Sequence, residues 1–160
     1  MVELNLRNQG LYSEDLFILA KVLSYNNSIK VINLSKNYIG YTFVEARKIL
    51  EFKMKHQNKI KHGNFEQMFY SSLGIQHFAN SLSSSDRLKE LDFSENDIGT
   101  ENFELLLKIF ESNTKITHLN LSDCNINDDC VANLCATIKQ SNFTLKDLKF
   151  RNSKFSEKSV

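Results

Sequence analysis

His62, Glu90 and His118 follow one another at intervals of 28 residues, and two imidazoles with a carboxylate between them are donors that zinc accepts. They can act together only if the fold lays positions one interval apart side by side. Even on adjacent strands, about 4.8 Å apart, the two histidine backbones would sit roughly 9–10 Å from each other, an open and poorly convergent metal site. A pH-sensitive row of ion pairs is the better reading, and no metal or other cofactor is expected. Five carboxylates, Glu66, Glu90, Asp92, Glu95 and Asp123, occupy the middle of the chain, with Arg7, Lys36, Lys149 and Arg151 towards its ends. Cys124, Cys130 and Cys135 lack the Cys-x-x-Cys spacing of a zinc or redox pair. Cys124 and Cys135 read as core, and Cys130 as partly exposed at a helix start. Lys53, Lys55, His56, Lys59, Lys61 and His62 form a basic run without interleaved aromatic stacking partners, and read as a solvated helix end. There is no nucleophile elbow, Gly-rich phosphate loop or His-Glu-x-x-His, so an enzyme is not expected.

A repeat would set such residues side by side. The phrase LKELDFSENDIG, starting at residue 88, returns in copies that start at residues 1, 29, 60, 116 and, truncated, 145. Apolar residues fill positions 1, 4, 6 and 11 of each copy, and the pattern fails only at Gly63. Position 9 holds Asn37 and Asn96, with Cys124 as a weaker counterpart and Met68 breaking the column. Alternation at positions 4 and 6 predicts a short strand whose odd positions point to the opposite side. Helical spacing follows it: Leu16, Leu19, Ala20 and Leu23, then Ile75, Phe78, Ala79 and Leu82. Phe103, Leu106, Leu107 and Phe110 repeat the face, as do Val131, Leu134, Cys135 and Ile138. Ser13, Thr100 and Asn127 stand before acidic residues and suit N-caps. The second repeat is three residues longer, an insertion expected to extend a helix through Phe43, Ala46, Leu50 and Met54.

The pattern LxxLxLxx(N/C)xL followed by a helix resembles the leucine-rich repeat, and the long period is similar to that of the ribonuclease-inhibitor-like subclass. The resemblance covers nearly all of the chain. It implies one domain over residues 1–160, a curved α/β solenoid with parallel strands on the concave face and helices on the convex face. It implies a non-enzymatic scaffold or docking subunit of a larger intracellular assembly, cytoskeletal or ciliary. The alternative is a GTPase-activating protein of the Ran-activating kind, which would need an exposed, positioned Arg or Asn; Arg7 and Arg151 lie only in the extreme repeats.

On the implied concave face, position 3 reads Glu3, Val31, His62, Glu90, His118, Asp147, and position 5 reads Asn5, Asn33, Asn64, Asp92, Asn120, Lys149. Position 7 reads Arg7, Ser35, Glu66, Ser94, Ser122, Arg151, and Glu95 and Asp123 stand at strand exits. The residues expected to touch a partner are His62, Asn64, Glu66, Glu90, Asp92, Glu95, His118, Asn120, Asp123, Lys149 and Arg151. A protein with a basic patch would suit their acidic centre.

A net charge of +1 argues against a nucleic-acid or membrane partner. No run is apolar for long enough to span a bilayer, no signal peptide precedes the first copy, and three cysteines fit a reducing, cytoplasmic compartment. Neither end carries the polar outer face of a terminal cap, so the chain is expected either to be a piece of a longer array or to dock another subunit at its first and last strands.

Overall fold

The computed structural model describes residues 2–41, 48, 65–141 and 144–152. Among them, three-residue strands alternate with helices: β1 (Glu3–Asn5), α1 (Ser13–Ser24), β2 (Val31–Asn33), α2 (Phe65–Ser83), β3 (Glu90–Asp92), α3 (Gly99–Ser112), β4 (His118–Asn120), α4 (Asp128–Ser141) and β5 (Asp147–Lys149). The five strands form one parallel sheet in chain order. Parallel neighbours need a crossover, and each helix provides one on the same side, so the helices stack in the order α1, α2, α3, α4.

The core lies between these layers. Ile32, Leu91 and Leu119 in the strands and Leu34, Phe93 and Leu121 just after them are all buried, and the helices meet them with Leu16, Phe78, Phe103, Leu106 and Leu134. Phe78 stands edge-on to Phe93 with ring centroids 6.0 Å apart, a favourable aromatic geometry. Each such side chain contributes roughly 1.5–3 kcal/mol of burial. At the two ends of the stack Leu4, Leu6, Leu148 and Phe150 are only partly buried.

The polar column at position 9 turns the chain away from each strand. Asn37 Nδ2 donates to the carbonyls of Leu6 and Leu34, while its Oδ1 accepts from the amides of Gln9 and Leu11. Asn96 does the same one step on, reaching the Leu34 and Phe93 carbonyls and accepting from the Ile39 amide. Cys124 is the weaker rung expected of it, its thiol donating to the Phe93 carbonyl at 3.2 Å. Each rung satisfies buried backbone groups that would otherwise be orphaned.

One expected copy is absent from the sheet. Val31 pairs directly with Glu90, 59 positions on, whereas the other strand partners are 28, 28 and 29 positions apart. The copy starting at residue 60 therefore supplies no strand between β2 and β3, and from Phe65 the chain is helical. The cause is an insertion between β2 and α2 that is about as long as one repeat, so its apolar residues fell into phase with the period. The helix face read after it was right: Ile75, Phe78, Ala79 and Leu82 are buried, because α2 keeps the register of the strand that follows it. Phe43, Ala46, Leu50 and Met54, and the basic run from Lys53 to His62, lie outside the described residues.

Local expectations divide in the same way. Asn127 caps α4 by accepting from the Cys130 amide at 3.1 Å. Thr100 instead lies inside α3, and Ser13 lies inside α1, buried, with its hydroxyl on the Ile39 carbonyl. Cys130 and Cys135 exchange their expected places: Cys130 is buried in the first turn of α4, and Cys135 is exposed because no described helix packs beyond α4.

Candidate functional site

The strands' outward positions line an open groove of about 440 Å³ on the concave face. Its position-3 row runs Glu3, Val31, Glu90, His118, Asp147. In the sheet Glu90 is thus flanked by Val31 and His118 rather than by two histidines. His62 and Asn64 lie outside the described residues, and Glu66 belongs to α2 rather than to the sheet. Among the described residues no cluster of His, Cys, Asp and Glu could hold a metal ion. None of their helices is long and apolar enough to cross a membrane.

Position 5 has a structural task that the sequence pattern did not disclose. Asn5, Asn33, Asp92 and Asn120 each accept, through Oδ1, the backbone amide two residues on, at 2.8–3.1 Å. This side-chain turn ends each strand and is the reason for Asn and Asp in the column. It also draws position 7 inward, so Ser35, Ser94 and Ser122 are buried rather than displayed. Repeated Asx-x-Ser was the available signal. Asp92 is further occupied by the Ser94 hydroxyl at 2.6 Å and the Asn120 amide nitrogen at 3.2 Å. Lys149 breaks the column and lies 3.5 Å from Asp147.

The acids at the strand exits are partnered as well. Glu95 Oε1 accepts from Arg7 Nη2 at 2.8 Å, and Asp123 Oδ1 accepts from Asn152 Nδ2 at 2.9 Å. Arg151 uses its backbone amide on the Ser122 hydroxyl. Lys36, Glu95 and Asp123 share a left-handed backbone conformation, φ 58–59°, set by the tight turn after the strand. What remains for a partner lies at one end of the groove. Glu3 and Glu90 flank Val31 across neighbouring strands, with His118 next in the row and its Nδ1 2.8 Å from the Thr117 hydroxyl. Neither Glu3 nor Glu90 has an ion-pair partner among the described residues. A long cationic side chain could lay its methylenes on Val31 and its charge between these carboxylates.

Cys124, buried in the turn, has its thiol pushed up to about 12 by desolvation, with Asp92, Asp123 and Asp97 adding to the rise. It is a structural thiol, not a nucleophile.

A family model for the leucine-rich repeat matches residues 88–101 and 112–135. No curated protein matches the chain. A solved structure entitled Leiomodin-1 Actin-Binding Site 2 is similar over 94% of this chain and 70% of that one, with a TM-score of 0.59 and 14% identity. Together with the sheet order and the Asn ladder, these matches make the chain an α/β leucine-rich-repeat solenoid.

Proposed function

We propose that the protein is a non-enzymatic docking module, one domain over residues 1–160, whose concave face holds a basic segment of a protein partner. The observation that carries this is the pair Glu3 and Glu90 on either side of Val31, carboxylates left without ion-pair partners where the other groove acids are engaged. His118, Asn120, Lys149 and Arg151 would frame the rest of the contact. The spacing of 28 and 29 positions between strand partners supports the ribonuclease-inhibitor-like subclass. A cytoplasmic, cytoskeletal setting is the leading reading, since the leiomodin structure that shares the fold is titled as an actin-binding site. A ciliary assembly remains the second setting. Co-sedimentation with actin filaments tests the first; no co-sedimentation would remove actin as the partner.

Reversing Glu90, Asp92 and Asp123 together would break the Asp92 turn, so the informative variant is Glu3→Lys with Glu90→Lys. A partner held by tagged wild-type chain from native extract should be lost by this variant while its circular dichroism is unchanged. Retention of the partner would refute the concave assignment. A GTPase-activating role has no such support, because Arg7 is engaged with Ser35 and Glu95. A hydrolysis assay across small GTPases should show no stimulation.

A further inference from the structure

Ile18 and Val22 project from α1 with 65% and 55% of their surface exposed. Their counterparts in the repeat register, fixed by Glu3 and Glu90, are Leu105 and Ile109 of α3. There Ile109 is fully buried and Leu105 packs against the core, because α2 stacks on that side. The opposite face behaves reciprocally. Ala20, Ala79 and Leu107 occupy one register position, each 11 residues before the next strand, and all three are buried by the helix that follows. In α4, whose repeat is one residue longer, the equivalent position falls at Cys135 and Ala136, 12 and 11 residues before β5, and both are exposed, as is Ala132.

From this we infer that a second copy of the chain stacks head to tail, its α4 covering Ile18 and Val22 of the first as α2 covers Leu105 and Ile109. Three features favour this occupant over any other. The α4 face is built of small side chains, like Ala79 on α2, and would receive the large ones of α1 without a clash. Strands β1 and β5 are the two edges of a parallel sheet, and such edges template pairing with another strand. The like charges at the junction are each compensated within their own chain: Asp147, which would come beside Glu3, has Lys149 at 3.5 Å, and Arg7, which would come beside Arg151, has Glu95 at 2.8 Å. The contact is heterologous, so each copy that joins leaves the same two faces free at the ends until a ring closes. It shares Glu3 with the concave docking proposed above but rests on the helix faces, so loss of stacking and loss of the concave partner are separate outcomes.

Sedimentation of the full chain in reducing buffer, over a wide concentration range, tests the stacking. Wild type should form a series of oligomers that lengthens with concentration. Val22→Glu, which spoils one face, and Cys135→Arg, which spoils the other, should each be monomeric, and an equimolar mixture should give a dimer that grows no further. Ile18→Lys and Ala132→Arg repeat the test, and circular dichroism confirms that each variant folds. A monomeric wild type overturns the inference. So does a closed dimer that Val22→Glu dissolves and Cys135→Arg leaves intact, or a mixture that stays monomeric.

Discussion

Arg7 and Glu95 are 88 residues apart in sequence, yet Nη2 of one lies 2.8 Å from Oε1 of the other. The guanidinium passes over β2, where Nη1 donates to the Ser35 hydroxyl at 2.7 Å, and so ties the first strand exit to the third. Both side chains are near half exposed, at 45% and 42%, so solvent screens most of the attraction. A double-mutant cycle on Arg7→Ala and Glu95→Ala, read by urea unfolding, should give a coupling of about 0.2–1 kcal/mol that shrinks with added salt. A coupling several times larger would mean that the pair holds the sheet together.

The Asn ladder should matter far more. Asn96→Ala removes donors to the Leu34 and Phe93 carbonyls and the acceptor for the Ile39 amide, all in a dry turn. Leaving such groups unpaired costs about 1–3 kcal/mol each, so the variant should lose roughly 3 kcal/mol or more. Cys124→Ala gives up one weak thiol bond and should lose clearly less. Equal losses by denaturant titration would contradict the ladder's role.

How much of this was legible follows the same lines. Strand position 6, helix faces and the ladder were readable because burial imposes a period, and Phe93, Leu106 and Asn96 obey it. The copy starting at residue 60 misled because an insertion close to one repeat in length keeps phase without adding a strand, and periodicity cannot distinguish those cases. Alternation places Asp92 outward, where a partner contact would lie. Nothing in alternation reveals that its carboxylate curls back to the Ser94 amide.

Gly74 checks the placement of α2 against α1. A Cβ there would lie 1.9 Å from the Ser13 carbonyl oxygen, a backbone atom that cannot rotate away. In an open helix Gly→Ala stabilises by roughly 0.5–1 kcal/mol, whereas here overpacking should cost about 1–3 kcal/mol. The sign of the change in thermal unfolding decides whether the two helices touch.

The thiols give a pH signature. Cys124 is raised in the folded state from 9.0 to about 12, so the folded chain keeps a proton that the unfolded chain releases. Its contribution to stability is whole below pH 9 and is lost as pH rises towards about 12. Cys124→Ala should flatten that part of the profile. Alkylation of the dilute, unstacked chain in native buffer should mark Cys135 first and leave Cys124 and Cys130 protected until unfolding.

Concave docking is tested most directly by a photo-crosslinking residue placed at His118, beside Glu90 in the groove, with a second chain carrying it at Glu111 on the exposed side of α3 as the control. Irradiation in native extract should yield a discrete protein adduct from position 118, absent from position 111 and suppressed by the Glu3→Lys change. Adducts from position 111 alone, or an adduct at position 118 indifferent to Glu3→Lys, would contradict a partner held between the two carboxylates.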